Sequence, residues 1–114
     1  MVYFNPENKA VIDELVGEIP GARPGKMFGF PAYYAGKKLA ICIYEEGVGI
    51  KLPAERVRQL LAEDRNAAPF QPYGKAVMRE WVQLTQPAAQ DYRKYRSLFA
   101  ESIAFVLGQQ MKGN

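Results

Sequence analysis

The spacing of hydrophobic positions changes along the chain, and each change marks an element. Asn5-Pro6-Glu7 reads as a helix start, because Asn caps free amides, Pro is tolerated at the first helical position, and Glu favours the positive end of the helix dipole. Val11, Ile12, Leu15, Val16 and Ile19 then recur on one face, opposite Glu7, Glu14 and Glu18, until Pro20-Gly21 ends the helix. Between Lys26 and Leu52 the period becomes two, with turns at Pro31, Ala35-Gly36 and Glu46-Gly47. This predicts four short antiparallel strands: Lys26 to Phe30, Ala32 to Ala35, Lys38 to Tyr44 and Val48 to Leu52. In the third, Leu39, Ile41 and Ile43 share one face and Ala40, Cys42 and Tyr44 the other. Neither face is polar, the mark of a central strand covered on both sides. Either a long helix or another subunit is expected to cover the second face.

Pro53 opens a second helix with a narrow stripe of Val57, Leu60 and Leu61. The stretch Ala67 to Tyr73 holds Pro69 and Pro72 and is expected as an edge strand or an extended loop. After a turn at Gly74-Lys75, a last strand is expected from Ala76 to Leu84, with Val77, Arg79, Trp81 and Gln83 on one side and Met78, Glu80, Val82 and Leu84 on the other. Thr85 and Pro87 start the longest helix, where Tyr92, Tyr95, Phe99, Ile103 and Val106 form the buried stripe and Gly108 is the stop. The expected fold class is therefore α+β. One antiparallel sheet of five to six strands is flanked by an N-terminal, a middle and a long C-terminal helix, in a single domain over residues 1–114.

Composition narrows the chemistry. The 114 residues include no His and one Cys, which excludes a Ser-His-Asp or Cys-His pair and His-ligated metals. Lone Cys42 supplies neither an internal disulfide nor a multi-cysteine metal site, and its apolar neighbours Ile41 and Ile43 mark it as an inert core residue. Neither a signal peptide nor a membrane span is expected, and the unpaired thiol fits a cytoplasmic protein. Net charge is +3, with seven charges of each sign in residues 1–57 but eight basic and five acidic in residues 58–114. So small an excess permits weak nucleic-acid binding without arguing for it.

The segment Lys26-Met27-Phe28-Gly29, followed by Tyr33, Gly36-Lys37-Lys38-Leu39-Ala40, Val48, Ile50-Lys51-Leu52, Pro69-Phe70, Tyr73-Gly74-Lys75, Met78 and Trp81, resembles the TfoX N-terminal domain family of competence regulators. The resemblance runs from about Gly25 to Val106 and implies an antiparallel sheet flanked by helices, no established catalytic activity or cofactor, and a regulatory or uncharacterised role. The chain departs from the family at Phe30-Pro31, where a second Gly is common, and at Trp81-Val82, where many members carry a tyrosine pair. A Trp in a basic last strand gives a more distant likeness to YjbR-like proteins, suspected DNA binders.

Candidate chemistry reduces to two clusters. Lys26, Phe28, Lys38, Tyr44, Lys51, Arg79 and Trp81 occupy strand positions that one register places on a single sheet face, where they would hold a nucleic-acid backbone or a phosphorylated small ligand. The plainer reading is a solvated face or a homodimer interface. Arg93, Lys94 and Arg96 form the densest basic group, expected on a solvated helix face with Asp91 pairing Lys94. Glu45-Glu46 is expected as a solvated turn, and no phosphate loop or metal site is expected. The expected function is a non-enzymatic regulatory or interaction domain, homodimeric or meeting a protein partner. Weak nucleic-acid binding and small anionic-ligand sensing are the alternatives.

Overall fold

A computed structural model describes residues 2–74 and 76–112; Lys75, half of the expected Gly74-Lys75 turn, lies outside the described residues. The chain runs α1 (Pro6–Gly17), β1 (Ala22–Met27), β2 (Phe30–Ala35), β3 (Lys38–Tyr44), β4 (Gly47–Lys51), α2 (Ala54–Glu63), β5 (Ala67–Pro69), a 3₁₀ turn (Pro72–Gly74), β6 (Trp81–Leu84), a 3₁₀ segment (Ala89–Tyr95) and α3 (Arg96–Lys112). The six strands form one antiparallel sheet in the order β1-β2-β3-β4-β6-β5. The expected α+β class and its three helices are all present.

Several boundaries move, each for a local reason. β1 begins at Ala22 rather than Lys26, because Phe28 and Gly29 both take positive φ, 49° and 88°, and make a two-residue hairpin turn closed by the pair Met27 and Phe30. Pro24 inside β1 is tolerated because this strand is the sheet edge. The expected turn at Pro31 does not occur; Pro31 pairs with Lys26 inside β2, just before pairing with β3 begins at Ala32. At the C-terminal end, α3 does not start at Thr85 or Pro87. A 3₁₀ segment precedes it, and the helix passes through Gly108 to Lys112.

Strict alternation fails in β3. Tyr33 pairs with Ile41 but Tyr34 with Leu39, so Ala40 is an extra residue, a β-bulge that puts Leu39 and Ile41 on opposite faces. The Ala40 carbonyl accepts a hydrogen bond from the buried Ser102 hydroxyl of α3 at 3.1 Å. The helix thereby satisfies the irregular backbone it covers.

Two clusters cover the two sheet faces. On one, α1, α3 and the 3₁₀ segment pack Val11, Ile12, Leu15, Phe99, Ile103 and Val106 against Tyr33, Ile41, Ile43, Val48, Ile50, Val82 and Leu84, and α2 adds Val57 and Leu60. The anticipated stripe of Tyr92, Tyr95, Phe99, Ile103 and Val106 is buried throughout. On the other face, Phe30, Cys42, Tyr44 and Phe70 are buried, with Phe4, Met27 and Trp81 at the margin. Among the described residues no long helix covers this side. A diagonal of rings does so, Phe30 to Tyr44 at 4.8 Å, Tyr44 to Phe70 at 5.7 Å and Phe70 to Trp81 at 5.5 Å between centroids.

Gly49 makes this cover possible. A Cβ at Gly49 would stand 2.7 Å from the Phe70 ring, so only a bare backbone lets the ring lie on β4. Replacing Gly49 by Ala is expected to destabilise the fold by about 1–3 kcal/mol through overpacking, seen as a lower urea midpoint. Gly17, where a Cβ meets nothing within 4 Å, is the control: Gly17→Ala is expected to stabilise by about 0.4–1 kcal/mol by restricting the unfolded chain.

Candidate functional site

The seven candidate residues do not share a face. By register Lys26 lies opposite Pro31 and Lys38 opposite Ala35, on the side of the helices, whereas Tyr44, Lys51 and Trp81 lie on the other side. They are also split between the ends of the sheet. Lys26, Phe28 and Tyr44 sit at the end holding the β1–β2 and β3–β4 turns, and Lys38, Lys51 and Trp81 at the opposite end. Phe28 is 76% exposed in its turn, and Tyr44 is buried between Phe30 and Phe70. Three of the four rings on this face are therefore core, and a base cannot stack on them.

What the structure does bring together is Lys51, Arg79 and Trp81. Residues 76–80 leave the sheet earlier than the expected strand, and the Met78 carbonyl accepts the Trp81 amide at 3.1 Å. This turn carries Val77, Met78 and Arg79 over the start of α2. An open cleft of about 490 Å³ results, lined by Lys51, Ala54, Val77, Met78, Arg79, Glu80 and Trp81. It continues into an apolar pocket of about 220 Å³, where Val57, Arg58, Leu61 and Pro69 join Ala54, Val77, Met78, Arg79 and Trp81. Val77, Met78 and Leu61 remain exposed. Lys51 Nζ lies 3.9 Å from a Glu80 carboxylate oxygen, which also accepts from Gln109 Nε2 at 3.3 Å. Buried Phe70 backs the Trp81 ring.

Arg58, Leu61, Val77 and Met78 were not among the candidate site residues read from the sequence. Leu61 and Arg58 belong to an ordinary amphipathic helix, and a period-two reading of residues 76–84 disperses Val77 and Met78 over both sheet faces. The nearby Pro72 and Gly74, together with Arg79-Glu80, were the available hint that pairing stops short of Ala76.

The second basic cluster has structural partners. Arg93 Nη2 lies 2.9 Å from Glu14, Arg96 lies 3.6 Å from Glu18, and Lys94 sits 5.4 Å above the Tyr95 ring. The acidic face of α1 is thus tied to the 3₁₀ segment and α3 through Glu14 and Glu18. Hydrogen bonding from Arg93, followed by its charge, lowers the Glu14 carboxyl below its ordinary value. The Glu45-Glu46 turn is also more than solvated. The Glu46 carboxylate accepts from the Tyr3 hydroxyl and from Asn5 Nδ2, and its carbonyl accepts from Asn8 Nδ2 at 3.1 Å and the Tyr92 hydroxyl at 2.9 Å.

Other polar groups are similarly engaged. Gln86 donates to the Tyr95 hydroxyl at 2.6 Å, which donates to Asp64 at 2.9 Å. A pocket of about 330 Å³ between α1 and β1 has Lys9, Asp13 and Tyr33 on its wall, joined by the Tyr33 hydroxyl donating to Asp13 and by a Lys9–Asp13 pair at 2.6 Å. Burial, then the Asp13 hydrogen bond, pushes the Tyr33 hydroxyl far up. Among the described residues no group of three His, Cys, Asp or Glu side chains is placed to hold a metal ion. No described helix is long and apolar enough to cross a membrane.

Burial pushes the Cys42 thiol up to about 12 from 9.0, and burial with the Asp64 hydrogen bond pushes Tyr95 up to about 12 from 10.0. As pH rises, the unfolded chain loses these protons first, so the contribution of these two groups to stability is level below pH 9 and falls between 9 and about 12. Urea titrations across that range are expected to show the decline, with Tyr95→Phe flattening its upper part. Arg93→Ala is expected to return the Glu14 carboxyl towards 4.5, read by NMR titration of the side-chain carbon.

No family model matches the chain, and neither a curated protein nor a solved structure matches it.

Proposed function

We propose that this protein is a non-enzymatic interaction domain that meets its partner at the Trp81 cleft. The observation that carries this reading is the convergence of Lys51, Arg79 and Trp81 beside exposed Val77, Met78 and Leu61. Cationic groups around unspent apolar surface suit binding. The described tyrosine hydroxyls with shifted pKa move upwards, away from any role as a base near neutrality. The likeness to TfoX N-terminal domains belongs to the same proposal. It rests on the quoted residues and on the order of helix, four strands, helix, two strands and helix. Cytoplasmic residence rests on the single unpaired cysteine.

Self-association carries less weight in this reading than alternation along β3 alone suggested. The apolar second face of β3 pointed to a homodimer, and Phe30 and Phe70 fill that face within one chain. Small anionic-ligand sensing remains the second reading, because Lys51 and Arg79 line the same cleft.

Amide NMR spectra recorded while adding an acidic peptide, a single-stranded oligonucleotide, citrate or inorganic phosphate test the cleft. Shifts are expected to concentrate in residues 51–61 and 77–81, and Trp81, the one tryptophan, is expected to change its emission. Shifts centred elsewhere, or none with any probe, would sink the reading.

A further inference from the structure

We infer that the occupant of the Trp81 cleft is an acidic protein segment carrying one large apolar anchor side chain; this rests on the reading of the cleft given above. Charge sets the first requirement. Lys51, Arg58 and Arg79 line the cleft and its pocket against the single acid Glu80. That acid is held by Lys51 and Gln109, so the rim presents a cationic surface to whatever approaches. Complementary charge steers an acidic partner and fixes its register.

Volume sets the second. The pocket of about 220 Å³ is by itself below the roughly 300–1,000 Å³ typical of sites that enclose a whole small molecule, and the wider cleft it opens from is too open to enclose one. Its walls are apolar, with Val57 buried and Leu61, Met78 and Trp81 around the opening. This suits one bulky side chain entering from a chain laid along the wider cleft of about 490 Å³, the arrangement of a buried anchor within a polar rim. Met78 is unbranched and adapts to the shape of the anchor, while Trp81 is held from behind by Phe70 at 5.5 Å.

Nucleic acid fits less well. Its backbone needs a continued track of cations and its bases need free rings; Lys26 lies at the far end of the sheet, and Arg93 and Arg96 are paired with Glu14 and Glu18. Strand addition at the neighbouring edge is also disfavoured, since β5 is three residues long and ends in Pro69.

The test uses the whole chain and fluorescein-labelled short peptides of Asp and Glu, with either one central Phe or Ala in its place, beside a single-stranded oligonucleotide and citrate. The Phe peptide is expected to bind, and the Ala peptide to bind about tenfold more weakly, since an anchor in a pocket contributes over 1 kcal/mol. Arg58→Glu and Arg79→Glu, both at exposed positions, are each expected to weaken the Phe peptide about tenfold. Met78→Asp is expected to abolish binding, and Lys37→Glu on the β2–β3 turn to leave it unchanged. Circular dichroism confirms that each variant is folded, and the two arginine variants serve as independent readings. Equal binding of both peptides, tighter binding of oligonucleotide or citrate, or no peptide binding overturns the acidic segment. If amide shifts still gather at residues 51–61 and 77–81 in those cases, the cleft stands with another occupant; if they gather elsewhere, both readings fall.

Discussion

The constraint behind this fold is that β3 is apolar on both faces while the long helices lie on one. Ile41 and Ile43 are buried beneath α1 and α3, and Cys42 and Tyr44 need an equal shield on the reverse. Leaving such a strand half uncovered would expose an apolar patch prone to association. Phe70 supplies the missing shield by lying on Gly49, and Phe30, Tyr44 and Trp81 extend it into a row. The N-terminal segment closes the margin. Phe4 packs there, Tyr3 and Asn5 exchange backbone hydrogen bonds with Glu45, and Asn8 and Tyr92 reach the Glu46 carbonyl.

Periodicity made the helices and central strands legible because those elements each bury a regular stripe. The span of β3, the apolar face of α1 and the stripe from Tyr92 to Val106 can all be read from spacing. Period-two reasoning also identified β3 as doubly covered, but it could not identify the cover. Phe70 follows two alanines and a proline, and nothing local says that its ring will meet Gly49 across the sheet. The errors lie where a local backbone state overrides alternation: positive φ at Phe28 and Gly29 shifts β1, and the bulge at Ala40 reverses the face of Leu39. Sheet register magnifies such local events, since a displacement of one residue exchanges the two faces.

The candidate site was legible only in part for the same reason. Lys51 and Trp81 are directly paired across β4 and β6, so a correct reading of two strands suffices to join them. Lys26 required the register of β1 and β2, which the unrecognised hairpin turn controls, and Lys38 is turned to the helix side by the bulge at Ala40. Arg58 and Leu61 come from α2, and their approach to Val77 and Met78 depends on where β6 stops pairing. Contacts between a helix and a turn carry no period, so they are decided by tertiary packing alone.

Residues 70–80 serve both the core and the surface: Phe70 shields the back of the sheet, while Val77, Met78 and Arg79 form a wall of the cleft. Among the described residues of this stretch, the regular structure is one short 3₁₀ turn, Pro72–Gly74. Were Phe70 to lift away from β4, the wall formed by Val77, Met78 and Arg79 would be disturbed and Cys42 would lose its cover in the same event. A molecule held between that wall and Lys51 and Trp81 of the sheet would suppress such an opening through linkage. The buried thiol would then act as an internal record of occupancy, reached by reagents more slowly when the cleft is filled.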